Sequence, residues 1–163
     1  MLILCLSFLI ALLDQVTKYL INKNLLTGHI TIIPDLFDLC YVQNTGAAWG
    51  IMQGLNGWLV ALSLIMLCVL VLFRRSILQD TITHRIATGL MIGGIVGNLI
   101  DRIRLGYVVD FIHFFWRSHH FPSFNIADSA ICVGVALYII TQIFEQKESP
   151  GNEGGDLKNK GNA

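Results

Sequence analysis

The stretch Trp58–Phe73, WLVALSLIMLCVLVLF, contains no charged residue and is followed directly by Arg74 and Arg75. A helix needs roughly 20 mostly apolar residues to cross a lipid bilayer, and together with Gly57 this stretch is the clearest candidate in the chain. Three other windows qualify less cleanly: Leu2–Ile21, Ile86–Ile103 and Ile126–Phe144. We therefore predict an all-α membrane protein with four transmembrane helices.

The composition supports a membrane protein and argues against certain partners and one type of catalytic base. Of the 163 residues, 54% are hydrophobic and 13% charged, whereas soluble domains carry about 25% charged residues. Eleven basic and eleven acidic residues cancel, so the net charge favours neither nucleic acid nor another polyanion as a partner. The first glutamate is Glu145, which excludes a glutamate base from the preceding membrane body.

We divide the chain into one four-span membrane domain, residues 1–145, and a tail, residues 146–163. The tail is polar and Gly-rich, and we predict that it is disordered. The first window is predicted to be a retained span rather than a cleaved signal peptide, because Asp14 and Lys18 interrupt it and no basic segment precedes it.

Lysine and arginine outside the helices indicate the orientation, because they favour the cytoplasmic side. The turn 74–85 and the tail hold six of them, and the other two loops hold three. This predicts cytoplasmic termini and external loops, 22–56 and 104–125.

The segment Thr31–Val42 is rich in β-branched and aromatic residues and predicts a small extracytoplasmic sheet. We assign four further aromatic residues to the membrane interface: Phe114, Phe115, Trp116 and Phe121.

The polar residues of the predicted helices converge on one side of the membrane. In an even-spanning protein, odd helices end where even helices begin, and the two longer loops emerge there too. The residues placed on that side are Asp14, Lys18, Asn44, Asn98, Asp101, Arg102, Asp110 and Asp128. Ionisable residues inside a bilayer are costly and are functional candidates. The opposite halves hold only scattered small or hydroxyl groups, such as Ser7, Thr88 and Thr141.

Several of these residues also have a structural interpretation. Asp14 and Lys18 have the i,i+4 spacing of an ion pair on one helix face. Asn125 and Asp128 have the spacing of a helix cap and a first-turn carboxylate. The glycine stripe of the third window predicts close packing of another helix: Gly89, Gly93 and Gly97.

Asp110 is the hardest residue to explain structurally. It lies in the run V-V-D-F-I-H-F-F-W, which suits the membrane interface, and a carboxylate in such a water-poor layer must be paired or protonated. Asp128 is the nearest candidate partner on the same side. Two carboxylates in one site share a single proton, so one can activate water while the other donates to a peptide carbonyl.

Five blocks of this sequence, in order, resemble the type II, or prolipoprotein, signal peptidases of bacterial membranes. The blocks are D-Q-V-T-K at 14–18, N-T-G-A-A-W at 44–49, G-G-I-V-G-N-L-I-D-R at 93–102, G-Y-V-V-D-F at 106–111 and F-N-I-A-D at 124–128. They cover nearly the whole membrane body. The resemblance implies an aspartic endopeptidase that cuts diacylglyceryl-modified lipoprotein precursors immediately before the lipidated cysteine.

The resemblance also implies roles for individual residues. Asp110 and Asp128 correspond to the catalytic pair. The positions that correspond to residues lining or supporting the site are Asn44, Asn98, Arg102, Asn125, Asp14 and Lys18. Trp49-Gly50 stands where the family more often has Phe-Ser, which removes a hydroxyl from that loop. No cofactor and no metal are expected, and the partners are membrane lipid and the precursor itself, bound by a monomer in the inner membrane.

Three alternatives remain open at the level of sequence. A Ser/Lys dyad would pair Lys18 or Lys23 with Ser123 or Ser129. Intramembrane charges also occur in proton or ion pathways, which need polar residues at both faces, and a purely structural membrane subunit is the third possibility. His113, His119 and His120 lack a helical i,i+4 pair and are assigned to the interface rather than to a metal.

Overall fold

The computed structural model describes residues 1–26, 28–47, 50–72 and 81–148. In chain order the elements are α1 (Leu2–Leu25), β1 (His29–Ile33), β2 (Phe37–Asn44), α2 (Asn56–Leu72), α3 (Ile82–Arg104), β3 (Val108–Trp116), β4 (His119–His120) and α4 (Ile126–Glu148). Most of the predicted basic turn and the tail after residue 148 lie outside the described residues.

Each predicted apolar window corresponds to one of these helices, but the boundaries differ. α1 continues past the predicted end to Leu25, and α3 begins four residues earlier, at Ile82, where Thr81 caps it by accepting from the His84 N–H. Helices α1, α3 and α4 are long and apolar enough to cross a membrane, whereas α2 has 17 residues. The described residues therefore contain three candidate spans and one shorter apolar helix.

Helix α3 is the centre of the helical body. Within its apolar window 56% of the residues are buried, compared with 17% in α1 and in α4. A Cβ atom on Gly93 would lie 2.8 Å from the Ser7 carbonyl oxygen, and one on Gly94 would collide with the Ala127 carbonyl. The predicted glycine stripe therefore lets α1 pack closely on α3, and the adjacent glycine does the same for α4.

The strands form a four-stranded sheet in the order β1-β2-β3-β4, so the all-α description applies only to the helical body. The predicted strand-like segment consists of β1 and β2, which pair antiparallel around a turn with Asp35 at φ 60°. Strand β3 falls within the predicted loop 104–125. Its sequence lacks the polar/apolar alternation that identifies a half-buried strand, because Val108, Val109 and Phe111 are all buried.

The sheet brings three distant chain segments together at one end of α3. Asp110 on β3 is paired with Val42 on β2, and Val108 is paired with Asn44. On the other side of β3, Ile112 bridges to Phe124, directly before α4. Asp110 is therefore held between the end of β2 and the beginning of α4.

Candidate active site

Asp110 is a buried carboxylate held by two amides. It is 1% exposed. Asn44 Nδ2 donates to Oδ2 at 2.9 Å, and Asn125 Nδ2 donates to Oδ1 at 2.7 Å. Burial, and next the negative charge of Asp128, raise the pKa of Asp110 to about 7. Near neutral pH this carboxyl group therefore exchanges a proton readily.

Asp128 lies in the first turn of α4, close enough for its charge to act on Asp110. Asn98 Nδ2 donates to Asp128 Oδ1 at 2.7 Å, and the Asn125 backbone N–H donates to Oδ2 at 3.3 Å. The Asn125 side chain in turn accepts from the Asp128 backbone N–H at 2.9 Å, so the predicted helix cap is present. Capping and pairing with Asp110 are compatible, because Asn125 contacts both aspartates.

The side-chain amides of Asn44, Asn98 and Asn125 are each held in one orientation by a hydrogen bond to the amide oxygen. The Gly46 N–H donates to Asn44 Oδ1, and Lys18 Nζ donates to Asn98 Oδ1, each at 2.9 Å. The Asn125 amide oxygen already accepts from the α4 backbone. Since every amide oxygen is occupied, the NH₂ groups must point at the two carboxylates. The site is thus preorganised to stabilise carboxylate charge.

Lys18 lies in a buried charge cluster next to the amides. Its Nζ is 2.8 Å from Asp14 Oδ2 and 2.9 Å from Asp101 Oδ2, so the predicted Asp14–Lys18 ion pair forms and gains a third member. With Asn98 these contacts use all three ammonium donors. The Ser129 hydroxyl donates to the Asn125 carbonyl instead. Lys18 is therefore a poor candidate for the base of a Ser/Lys dyad.

Asp101, which the sequence placed on the same side as the site without a role in it, and Gln15, which was not predicted, both support the site directly. Asp101 Oδ2 accepts from the Val109 N–H at 3.1 Å, one residue before Asp110, and Oδ1 accepts from Gln15 Nε2 at 2.9 Å. Asp101 continues the glycine stripe one turn beyond Gly97, which was an available signal. Nothing in the sequence marks Gln15.

Arg102 contacts the loop over the site rather than forming a hydrogen bond to either aspartate. Its Nη2 donates to the Gly46 carbonyl at 3.2 Å, and its own carbonyl accepts from Asn56 Nδ2 at 3.0 Å. Arg102 thus fixes both ends of the connection between β2 and α2. Trp49 of the unusual Trp49-Gly50 pair lies outside the described residues.

The opposite end of the bundle is more polar than the sequence predicts. His84 on α3 is 1% exposed. Its Nδ1 lies 2.7 Å from Thr81 Oγ1, and its Nε2 lies 3.1 Å from Gln142 Nε2 on α4. Glu145 Oε1 is 3.6 Å from the same ring. The prediction that the helix halves opposite the site hold only small or hydroxyl groups is wrong. The distribution of polar residues alone therefore does not exclude an ion pathway.

A sheet-capped bundle of candidate spans with two amide-held carboxylates is the architecture expected of a membrane-embedded aspartic peptidase. Residues 6–144 match the family model described as Signal peptidase (SPase) II. The chain belongs to this family, and it is accordingly an aspartic peptidase of the signal peptidase II type.

Similar proteins of known name and known structure agree with that family. A lipoprotein signal peptidase of Coxiella burnetii (strain Dugway 5J108-111) is 43% identical over 90% of this chain and 93% of its own. One of Geobacter metallireducens is 38% identical over 83% and 86%. A solved bacterial membrane enzyme superposes with a TM-score of 0.83 at 33% identity, covering 93% of both chains.

Proposed function

We propose that this chain removes signal peptides from diacylglyceryl-modified prolipoproteins and cuts immediately before the lipidated cysteine. The observation that carries the proposal is the pair Asp110 and Asp128, whose oxygens accept from three amides of fixed orientation. The relatives named lipoprotein signal peptidase support the substrate class.

In the proposed reaction the two aspartates share one proton. The ionised carboxylate takes a proton from water, whose oxygen attacks the scissile carbonyl carbon, while the protonated carboxyl donates to the carbonyl oxygen. Collapse of the resulting gem-diol breaks the C–N bond: the leaving amine takes the proton from one carboxyl, and a hydroxyl of the gem-diol returns a proton to the other carboxylate as the C=O bond re-forms. One water is consumed and the single shared proton is restored, so the chemistry uses neither a metal nor a cofactor.

The remaining predicted site residues hold this pair in place. Asn44, Asn98 and Asn125 stabilise the charge on the carboxylates. Lys18 and Asp14 hold Asn98 and α4, since Asp14 Oδ1 also accepts from the Ala127 N–H at 2.9 Å. Arg102 holds the loop that begins at Gly46.

The proposed membrane arrangement has four spans, with α2 as the fourth. Its 17 residues extend about 25 Å at 1.5 Å per residue, slightly less than the roughly 30 Å hydrocarbon core. Both termini are placed in the cytoplasm because the predicted basic turn and tail carry most of the lysine and arginine outside the helices. The pair Asp110 and Asp128, here called the aspartate dyad, then lies near the outer leaflet of the inner membrane, in a monomer that binds no nucleic acid.

The test is cleavage of a diacylglyceryl-modified precursor peptide by the purified protein in lipid. Asp110→Asn and Asp128→Asn keep the shape of each side chain but remove its ability to exchange a proton, and we expect each to lower the rate at least about 100-fold. Asp35→Asn is the matched control, because Asp35 is exposed in the β1–β2 turn and asparagine tolerates its positive φ. Near-normal cleavage by either folded dyad variant would refute the mechanism.

A further inference from the structure

Two histidines on neighbouring strands of the sheet lie in direct contact. His113 on β3 and His120 on β4 have their Nε2 and Nδ1 atoms 3.2 Å apart. Their rings are nearly parallel, at 7° with centroids 5.2 Å apart, and both stack on Phe115. This shared aromatic neighbour holds the two imidazoles in place on one face of the sheet.

The spacing of the two nitrogens suits a shared metal ion. Two zinc–nitrogen bonds of about 2.05 Å at the tetrahedral angle place the nitrogens about 3.3 Å apart. A metal bound by His113 Nε2 and His120 Nδ1 would therefore need little movement of either strand. The absence of a helical i,i+4 spacing favours an interfacial role for these histidines, but two neighbouring strands can also bring histidines into contact.

An adjacent carboxylate adds negative charge to the same sheet face. Asp38 on β2 is the direct cross-strand partner of His113, so the two side chains project from the same side. Asp38 Oδ1 is buried and has no hydrogen-bond partner among the residues that the structure describes. A hydrogen-bond donor such as a metal-bound water would satisfy this oxygen.

We propose that His113 and His120 bind a divalent metal of the zinc class, with Asp38 accepting from a water on that metal. Imidazole ligands favour Zn²⁺, Ni²⁺ and Cu²⁺, whereas Ca²⁺ and Mg²⁺ prefer oxygen. Within the described ranges no group of three or more His, Cys, Asp or Glu side chains can hold a metal, so solvent completes the coordination. The bound ion ties β4 to β3 and takes no part in peptide cleavage.

The test is a titration of the full chain, in detergent micelles and without a polyhistidine tag, with Zn²⁺ in competition with a chromophoric chelator. We expect one saturable site that weakens as the pH falls below about 6.5, where imidazole is protonated. His113→Ala and His120→Ala should each weaken it at least tenfold, and Asp38→Asn should weaken it about tenfold.

His119→Ala is the matched control, because His119 is exposed, precedes His120 on β4 and projects from the opposite face. Absence of a saturable site, or equal loss in the His119 variant, would overturn the proposal. Unchanged affinity in the Asp38 variant would remove Asp38 from the site. The titration detects binding rather than cleavage, so it is independent of the proposed peptidase function.

Discussion

Asn44 stabilises the ionised form of Asp110 through its amide N–H, which donates to Oδ2 at 2.9 Å. This bond lowers the pKa of Asp110, which burial and the Asp128 charge nevertheless raise to about 7. In the proposed mechanism the two aspartates share one proton, so the alkaline limb of the activity profile reports loss of that proton by the pair. We expect this limb to lie near neutral pH.

Asn44→Leu removes the donor and keeps the size of the side chain, so the ionised form of Asp110 is destabilised. We expect the alkaline limb of the kcat/KM profile to move up by about one pH unit, together with a fall in maximal rate. Gln43→Leu is the control, since Gln43 is exposed and donates to the Tyr41 hydroxyl instead. An unchanged alkaline limb in the Asn44 variant, or an equal shift of that limb in the Gln43 control, would contradict this account.

At the residue scale, the sequence predicted the residues of the candidate site better than the groups that hold those residues in place. Asp110, Asp128 and the three asparagines were predicted to lie close together, and the structure brings them together. Two of the groups that orient the amides, Lys18 and the helix cap at Asn125, were also predicted, whereas the backbone N–H of Gly46 that orients Asn44 could not be predicted. Likewise, the contact between Asp101 and the Val109 N–H depends on where β3 begins.

At the scale of elements, the crossing of α1, α3 and α4 depends on Gly97. A Cβ atom at this position would lie 2.6 Å from Asp14 Oδ2 and 3.3 Å from Ala127 Cβ. Gly97→Ala therefore separates the helices at the level of the Asp14–Lys18 pair. We expect it to lower stability by about 1–3 kcal/mol and to reduce peptidase activity.

Thermal unfolding in detergent measures this effect, and Gly57→Ala is the matched control. Gly57 lies in α2, and a Cβ atom there would meet nothing within 4 Å, so alanine should leave the midpoint unchanged or raise it slightly. Equal midpoints for the wild-type protein and the Gly97 variant would show that α1 and α3 are not packed as closely as described.

The elements themselves were predictable to different degrees. Long apolar windows identified all four helices, because burial in protein or lipid requires such runs. The sequence did not reveal β3, since a strand buried on both faces has no alternation. Its pairing with β2 through Val42 and Asp110 is a long-range contact that no local pattern encodes.

At the scale of the whole molecule, the orientation in the membrane decides whether the dyad can meet its substrate. The sheet and the dyad lie at the same end of the helical body, where α1 and α3 end and α4 begins. If the termini are cytoplasmic, Asp35 in the β1–β2 turn lies on the outer side of the membrane and Ile82 at the start of α3 lies on the cytoplasmic side. Both side chains are exposed at the protein surface.

Single cysteines placed at these two positions test the orientation after the four natural cysteines, all free thiols, are replaced by alanine. In spheroplasts we expect a membrane-impermeant maleimide to label Asp35→Cys at once, because it reaches only the outer surface. Ile82→Cys should react only after the membrane is opened, and the cysteine-free chain measures background. The reverse pattern would place the dyad on the cytoplasmic side and contradict the proposed orientation, even if the enzyme cleaves its substrate in detergent.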